Sequence, residues 1–312
     1  MLGESRFFRI AFALNMAARG SKLGPTGARF LYWLWDRLWD VFLCLRKPIF
    51  GEWARFNLAG KSLKFDLKDR SVTRALYVFR EYEPRETALV VRSLKPGMTF
   101  VDIGANSGYY SVLASCLLGE EGRVVAFEPG PENLRVLHRN VKANELHNVT
   151  VEACAISAHD EERPLYLSEI NSGDHRIYDG KDDDFYNAGR PRVNQLVKCM
   201  TLDGYLAGTG LCPDFIKMDV QGAEHLALLG MRRTLHDCPE VKLLTEYWPH
   251  GLVRSGCEPE DFLTELEELG FIIHTVLPGG GLAPATSKSI EASVLGKDSV
   301  TLFLSSRTPT QD

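Results

Sequence analysis

Two spacings of apolar residues alternate along most of this chain. From about residue 65, short runs rich in Val, Ile and Phe alternate with longer segments in which apolar residues recur every three to four positions. The short runs predict strands, and the longer segments predict amphipathic helices. The predicted strands are residues 99–103, 123–127, 149–155, 214–219, 241–246, 271–276 and 300–304. Such regular alternation is typical of an α/β protein with a doubly wound parallel sheet, which binds its ligand at the carboxyl ends of the strands.

The alternation is absent from two parts of the chain. Residues 160–200, after the third predicted strand, are polar and irregular, and we predict an insertion with short strands of its own. Residues 1–64 contain an aromatic run at 30–43 that holds three of the five tryptophans. Three charged residues interrupt that run, and it is shorter than the roughly 20 apolar residues that span a bilayer. We therefore predict a helical N-terminal segment at 1–64, followed by a second unit at 65–312.

The net charge is distributed unevenly between these two units. The 312 residues include 36 Lys and Arg against 41 Asp and Glu, a net charge of −5. Residues 1–64 hold 11 basic and 4 acidic residues (+7), and residues 65–312 hold 25 and 37 (−12), which together give −5. A mildly acidic chain argues against a nucleic-acid-coating protein, so we predict no nucleic-acid partner. The basic segment predicts packing on the rest of the chain or on a second copy in a homodimer, with peripheral membrane contact as the alternative.

The cysteines indicate a reducing compartment. There are seven, no two are spaced as CxxC, and most stand beside apolar residues. This pattern favours buried free thiols over a disulfide framework or a zinc site, and it predicts a cytoplasmic protein.

The first turn between a strand and a helix carries the strongest chemical pattern. Gly104 and Gly108 are spaced four residues apart directly after the first predicted strand, so the backbone there can approach a ligand closely. A tight structural turn is the alternative. No Gly-Lys-Ser/Thr follows, and the third glycine of the dinucleotide fingerprint is absent. Asp102 precedes the turn, and Glu128 ends the next strand, where a carboxylate can accept both hydroxyls of a ribose.

These residues resemble a known class of enzymes. The segment Val101–Ser111, followed by Phe127-Glu128-Pro129, is similar to the cofactor site of S-adenosylmethionine-dependent methyltransferases. Three further blocks resemble the FkbM family within that class: Asn171–Tyr178, Ile216–Glu224 and Thr245–Pro249. The resemblance covers roughly residues 80–305 and implies a Rossmann-like methyltransferase sheet. Gln221 is a departure, because many family members have Glu at that position.

The resemblance also implies the cofactor and the reaction. The cofactor is S-adenosyl-L-methionine, and its methyl group is transferred to a hydroxyl of a sugar, a glycan, or a glycosylated or polyketide natural product. The implied cofactor-binding residues are Asp102, Gly104, Asn106, Gly108, Tyr109, Glu128, Pro129, Asn133 and Ala155.

Three residues are candidates for the proton transfer that this reaction needs. Asp219 and Glu246 end two neighbouring predicted strands, where they can abstract a proton, bind a substrate hydroxyl or coordinate a metal. Capping of the following helix is the structural alternative for Asp219. His175 lies in the polar insertion and titrates near working pH, although it can instead order its loop. The acidic run 182–184 is typical of a solvated loop, and no metal site is predicted.

The predicted acceptor-binding residues are Asp174, Arg176, Tyr178, Lys217, Glu224 and Trp248. Lys217 stands two residues before Asp219, so both side chains point to the same side of the strand. An unpaired lysine is unfavourable among apolar residues, so we expect an acid beside it, such as Asp102 or Glu224. Two other functions stay open at this point: a nicotinamide-dependent, sugar-modifying oxidoreductase, and a non-catalytic partner subunit with a methyltransferase fold.

Overall fold

A computed structural model describes residues 34, 37–45, 51, 53–58, 61–67, 69, 72–168, 172–179, 192–294 and 299–306. Its centre is an eight-stranded sheet with the strand order β12-β11-β13-β10-β9-β3-β4-β5. The strands of this sheet are β3 (Thr99–Ile103), β4 (Arg123–Phe127), β5 (Val149–Glu152), β9 (Phe215–Met218), β10 (Lys242–Tyr247), β11 (Phe271–Val276), β12 (Leu282–Pro284) and β13 (Val300–Ser306). The five strands β5, β4, β3, β9 and β10 are parallel, which confirms the predicted α/β fold.

Helices cover both faces of this sheet. They are α1 (residues 37–45), α2 (Val72–Phe79), α3 (Pro84–Ser93), α4 (Tyr109–Leu118), α5 (Pro131–Ala143), α6 (Leu202–Leu206), α7 (Glu224–Leu229), α8 (Arg232–Asp237), α9 (Pro249–Arg254), α10 (Pro259–Glu268) and α11 (Ser287–Ser293). All five residues of β3 are buried, as expected for a strand that is covered on both faces. Phe100 packs in one core cluster with α3 and α4, whereas Val101 and Ile103 pack in the other. Because side chains alternate along a strand, Asp102 faces the same side as Phe100.

The predicted insertion forms a small sheet of its own. The third predicted strand divides, so that β5 joins the main sheet while β6 (Ala155–Ile156) pairs with β8 (Val193–Met200). Antiparallel pairing of β7 (Glu161–Leu167) with β8 completes this three-stranded sheet. The acidic run 182–184 lies outside the described residues.

The N-terminal segment is described only in part. Strands β1 (Trp53–Leu58) and β2 (Lys61–Asp66) form an antiparallel hairpin, and the predicted boundary between residues 64 and 65 falls inside β2. The division into two units stays a prediction. In α1, Trp39 is fully buried against Phe42 and Tyr77. Among the described residues, none of the helices is both long and apolar enough to cross a membrane.

One cysteine pair corrects the prediction of free thiols. Cys212 and Cys238 form a disulfide, with their Cα atoms 5.7 Å apart. The sequence separates them by 26 residues, but they directly precede the neighbouring parallel strands β9 and β10, whose amino ends meet at one edge of the sheet. The other five cysteines form no disulfide in the structure: Cys44, Cys116, Cys154, Cys199 and Cys257.

Candidate active site

A cavity of about 360 Å³ opens at the carboxyl ends of β3, β4 and β9. Its lining includes eight of the nine predicted cofactor residues, all but Gly108, together with Asp219, His175 and Lys217. A volume of this size suits a small-molecule ligand, and its place in the fold is where open α/β sheets bind ligands.

The turn after β3 needs both of its glycines. Gly104 and Gly108 have φ angles of 82° and 86°, a left-handed conformation that side chains rarely adopt. A Cβ atom on Gly104 would overlap the carbonyl oxygen of Asp219, and one on Gly108 would overlap the side chain of Leu137. The glycines therefore let the turn pack directly against β9 and α5.

Asp102 keeps one carboxylate oxygen available for a ligand. Its Oδ2 accepts a hydrogen bond of 2.6 Å from the Ser111 hydroxyl, while its buried Oδ1 has no partner in the structure. The residue is only 1% exposed, and burial raises its pKa although Lys217 opposes the shift. The side-chain oxygen of Asn106, in the same turn, is also buried without a partner. Unpaired buried acceptors beside a cavity fit a ligand that brings hydrogen-bond donors, as S-adenosylmethionine does.

Glu128 fixes the glycine turn from the neighbouring strand. Its two carboxylate oxygens accept hydrogen bonds from the backbone N–H groups of Asn106 and Gly130, at 2.8 and 2.7 Å. Burial raises its pKa to about 7 against these hydrogen bonds. Each oxygen keeps a second lone pair, so the predicted acceptance of ribose hydroxyls is compatible with this geometry. Asn133, at the same end of the cavity, donates to the carbonyl of Ser172 over 2.8 Å.

Lys217 lies at the other end of the cavity among carboxylates. Its Nζ is 3.3 Å from Oδ2 of Asp219 and 4.7 Å from the centre of the Tyr110 ring. Burial lowers the pKa of Lys217, but the charges of Asp219, Glu83 and Asp102 together hold this pKa above its usual value. The ion pair of Lys217 is thus with Asp219, whereas Asp102, one of the two acids suggested by the sequence, acts on Lys217 through its charge.

Asp219 combines a fixed orientation with access to the cavity. Besides Lys217, the side-chain amide of Gln221 donates to its Oδ1 over 2.8 Å. Its side chain is 30% exposed and lines the cavity directly beside Gly104. A carboxylate held by two donors and open on one side can accept a third hydrogen bond.

Glu224 and Glu246 are not among the residues that line the described cavity. Glu224 is fully buried, and it accepts hydrogen bonds from the backbone N–H groups of Val220 and Gly222 at 3.1 and 2.9 Å. Burial, with a smaller contribution from the charge of Glu246, raises its pKa to about 8. Glu246 accepts a hydrogen bond of 2.6 Å from Ser299, and burial raises its pKa to about 7.

His175 lines the cavity at the Glu128 end. Its Nδ1 accepts a hydrogen bond of 3.1 Å from the backbone N–H of Ser168, and its ring lies against Gly130. Burial, with the charge of Arg192, lowers the pKa of His175 to about 4, so the neutral ring carries its hydrogen on Nε2. This geometry favours positioning over proton abstraction, and the catalytic role of His175 stays a prediction.

The other predicted acceptor residues contact one another in a cluster that joins the insertion to Trp248. Asp174 is ion-paired with Arg176 and Arg192 at 2.6 and 2.7 Å. The guanidinium of Arg176 stacks over Trp248, 4.8 Å from the ring centre, and also lies over Tyr178. Within the described part of the chain, none of these residues belongs to the cavity lining. Their contacts stabilise the insertion, and their binding of an acceptor stays a prediction.

The sequence analysis did not predict Tyr82 or Glu83 as cavity residues. Tyr82 and Glu83 precede α3 and line the cavity at the Lys217 end. Glu83 has a left-handed φ of 40° and accepts a hydrogen bond of 2.8 Å from the hydroxyl of Tyr110. Burial raises the pKa of Glu83, while Lys217 opposes the shift. The sequence pattern Glu-Pro predicts only a helix start there, and Glu83 does not follow a strand.

Known proteins are similar to parts of this chain. A probable cobalt-precorrin-6B C(15)-methyltransferase (decarboxylating) of Sulfolobus acidocaldarius is 34% identical over 89 residues, which are 28% of this chain and 43% of that protein. The ribosomal RNA large subunit methyltransferase E of Methylobacillus flagellatus is 26% identical over 146 residues, covering 40% of this chain and 68% of that protein. The chain thus spans less than half the length of the precorrin relative that it matches.

Solved structures are similar at lower identity. The methyltransferase FkbM from Methylobacillus flagellatus KT is 18% identical, with a TM-score of 0.39, and the match covers 73% of this chain and 52% of that one. SMU.1697c from Streptococcus mutans, solved in complex with SAH, is 10% identical with a TM-score of 0.42, and the match covers 72% of this chain and 98% of that one.

The family itself is settled by sequence. The family model described as the methyltransferase FkbM domain matches residues 102–273, which is more than half of the chain. The match begins at Asp102, before the glycine turn, and includes the strand end at Asp219. The chain therefore belongs to the FkbM family of S-adenosylmethionine-dependent methyltransferases.

Proposed function

We propose that this protein is an O-methyltransferase that transfers the methyl group of S-adenosylmethionine to a hydroxyl of a sugar, a glycan, or a glycosylated or polyketide natural product. The main support is Asp219, a carboxylate with a fixed orientation that faces the cavity beside the glycine turn. Hydroxyl acceptors need such a group because the proton must leave as the new C–O bond forms.

Residues of the glycine turn and of strand β4 would hold the cofactor. Glu128 would accept the ribose hydroxyls, and the turn from Gly104 to Gly108 would approach the bound molecule with its backbone. Asp102 would accept a hydrogen bond at its unpaired Oδ1. When bound, the cofactor supplies a sulfonium methyl group that is already activated for transfer.

The chain's own contribution is alignment and proton acceptance. Lys217 and Gln221 hold the two oxygens of Asp219, so that a lone pair points into the cavity. Asp219 would accept the proton of the acceptor hydroxyl as its oxygen forms the bond to the methyl carbon. Lys217 would also hold Asp219 in position through their ion pair of 3.3 Å.

The Asp219→Asn variant tests this assignment. We expect it to bind S-adenosylmethionine as the unaltered chain does, whereas methyl transfer falls by about 10²–10⁴-fold, the range for loss of a general base. Calorimetry measures the binding, and transfer of a radiolabelled methyl group to a panel of glycans and glycosylated metabolites measures the activity. Asp237→Asn, at an exposed surface site, is the matched control. Turnover by Asp219→Asn at the control's rate would contradict the proposal.

The same panel decides the acceptor class. It should include RNA, because one relative is an rRNA methyltransferase, and methylation of RNA alone would overturn the sugar proposal. Calorimetry with NAD tests the oxidoreductase alternative, which the family match does not support. A chain that binds the cofactor but methylates none of the panel would favour the non-catalytic alternative.

We further propose that the N-terminal segment contacts an anionic membrane surface. It is basic, with 11 Lys and Arg against 4 Asp and Glu in residues 1–64. Helix α1 also exposes apolar side chains on the face opposite Trp39, among them Val41 and Leu45 at 56% and 70% exposure. Apolar and basic groups together are what membrane-surface helices present. A homodimer through the same segment is the alternative.

A further inference from the structure

One end of the cavity contains more carboxylates than cations. Glu83, Asp102 and Asp219 all interact electrostatically with Lys217, the nearest ammonium group to them in the described cavity lining. The other cation in that lining, Arg163, is ion-paired with Glu161 at 2.5 Å. If all three carboxylates are ionised, this end of the cavity carries an excess of negative charge. Buried like charges are unfavourable unless a cation accompanies them, so this end is suited to a cationic ligand group.

A second observation points to a ligand at the same place. The Oδ1 atom of Asp102 is buried without a hydrogen-bond partner, and the residue lines the cavity. Unpaired buried acceptors are rare because a buried polar atom without a hydrogen bond destabilises the folded chain. In the described part of the chain, His, Cys, Asp and Glu side chains form no group of three that could hold a metal ion. A ligand with N–H donors would satisfy the unpaired oxygen of Asp102.

Glu83 is held so that its carboxylate faces this end. Its backbone is left-handed at φ 40°, ψ 65°, and Pro84 begins the next helix directly after it. Such a backbone is strained for a residue with a side chain, and strained residues persist where the surroundings determine their position. Here the surroundings include the hydroxyl of Tyr110, which donates a hydrogen bond of 2.8 Å to the Glu83 carboxylate.

The position of this end relative to Glu128 matches the shape of the cofactor. Glu128 follows β4, whereas Lys217 and Asp219 belong to the end of β9, and β3 lies between these two strands. Two strand spacings of about 4.8 Å place the two ends roughly 10 Å apart. With the ribose at Glu128, the amino-acid part of the cofactor would extend towards Asp102 and Glu83, which line the same cavity.

We propose that Glu83, together with Asp102, binds the ammonium group at the amino-acid end of S-adenosylmethionine. This assignment rests on the proposed function, because it takes the cofactor as the occupant of the cavity. Glu83 lies before residue 102, where the family match begins. Glu83 would thus add a cofactor-binding residue that the family match does not include.

Calorimetry with three ligands tests the assignment on the full chain. S-adenosylmethionine and S-adenosylhomocysteine both carry the ammonium group, whereas 5′-methylthioadenosine lacks the whole amino-acid end. For Glu83→Gln we expect binding of the first two ligands to weaken by about 5- to 20-fold, the loss of a charge-assisted hydrogen bond, and binding of the third to change less than twofold. Glu81→Gln, an exposed site two residues away, is the control and should leave all three affinities unchanged.

A second variant guards against a general loss of structure. Tyr110→Phe removes only the hydroxyl that holds Glu83, and it should weaken binding of the two amino-acid ligands by a smaller factor while sparing 5′-methylthioadenosine. Unchanged affinity for S-adenosylmethionine in Glu83→Gln would overturn the assignment and would leave Glu83 facing the acceptor. Equal weakening of all three ligands would also overturn it, because that result indicates a collapsed cavity. If the unaltered chain bound none of the three, the proposed function would fail together with this assignment.

Discussion

Glu224 shows how a buried carboxylate can serve the backbone of a site. The sequence predicts it as an acceptor-binding residue, yet its oxygens accept from the N–H groups of Val220 and Gly222 in the turn after β9. That turn carries Asp219 and Gln221, and Gln221 itself has a left-handed φ of 53°. Glu224 therefore stabilises the loop that orients the proposed base.

The raised pKa of Glu224 predicts how stability depends on pH. Burial raises this pKa in the folded chain to about 8 from an ordinary value of 4.5, so folding favours the protonated carboxyl. The stability that this group contributes is present below about pH 4.5 and is lost as the pH rises through about 8. We expect the free energy of unfolding to fall from pH 5 to pH 8. In Glu224→Gln the free energy of unfolding should fall less steeply with pH. Its slope should differ from that of the unaltered chain by at most about 1.4 kcal/mol per pH unit.

Urea unfolding at pH 5, 6.5 and 8 measures this difference. Glu240→Gln, at an exposed position, should keep the pH dependence of the unaltered chain. An identical slope in Glu224→Gln and in the unaltered chain would show that Glu224 is ionised throughout the range.

Strand ends made part of the site predictable from sequence. Asp102, Glu128 and Asp219 directly follow or end short apolar runs, and all three line the cavity. Glu83 was not predictable in this way, because it belongs to a loop before a helix and reaches the cavity only through tertiary packing. Strand alternation shows which face of the sheet Lys217 takes, so an acid such as Asp102 could be expected near it. It does not show which distant loop covers that face, so Glu83 was missed.

At the scale of elements, helix α5 connects the N-terminal hairpin to the glycine turn. The Oδ1 of Asn140 accepts from the backbone N–H of Asp66 in β2 at 3.0 Å, and its Nδ2 donates to the carbonyl of Ser107 at 2.6 Å. Asn144, one helical turn later, bonds only to the hairpin and to its own helix, at Lys64 and Asn140. The side chain of Asn140 thus connects β2, which precedes the family match, to the glycine turn.

These two asparagines form a matched pair for mutation. Asn140→Ala leaves buried backbone groups unpaired, so we expect the free energy of unfolding to fall by about 2–4 kcal/mol, with weaker binding of S-adenosylmethionine because Ser107 is released. Asn144→Ala should lower it by about 1–2 kcal/mol, with cofactor affinity unchanged. Urea unfolding and calorimetry measure the two effects. Equal cofactor affinity in both variants would mean that the hairpin does not support the turn.

Elements were predictable where one periodicity lasted the whole length of the element. The predicted strand 271–276 has the observed bounds. Apolar residues keep a helical spacing from about residue 223 to residue 235, but the structure has two helices there, α7 and α8, because Gly230 packs against the backbone of Ser157 and ends the first helix. The hairpin β1–β2 was not predicted, since its strands are short and lie within a segment dominated by aromatic and basic residues.

At the scale of the whole molecule, helix α1 exposes apolar side chains at the surface. The exposed apolar residues Val41 and Leu45 are spaced by four positions, which places them on one face of α1. The opposite face packs through Trp39 onto Tyr77. A helix fixed on one side and apolar on the other can lie flat on a membrane surface.

Flotation with vesicles tests the proposed membrane contact. We expect the full chain to float with vesicles rich in phosphatidylglycerol and not with phosphatidylcholine alone, because basic residues add to the apolar contact. Val41→Glu with Leu45→Glu should abolish flotation, whereas Val253→Glu, an exposed apolar position in the family domain, should not. A chain that stays with the soluble fraction, and that changes from dimer to monomer with the α1 substitutions, would assign this face to the homodimer instead.

The position of β13 bears on how the chain folds during synthesis. This strand comes last in the order of the described chain, yet it lies between β10 and β11 in the sheet. Strands β11 and β12 are therefore made before the strand that connects them to the rest of the sheet. Until residues 300–306 leave the ribosome, the β11–β12 hairpin has an unpaired edge and the parallel part of the sheet ends at β10. A chain arrested before residue 300 would expose both edges at once, which is where binding by chaperones is most needed.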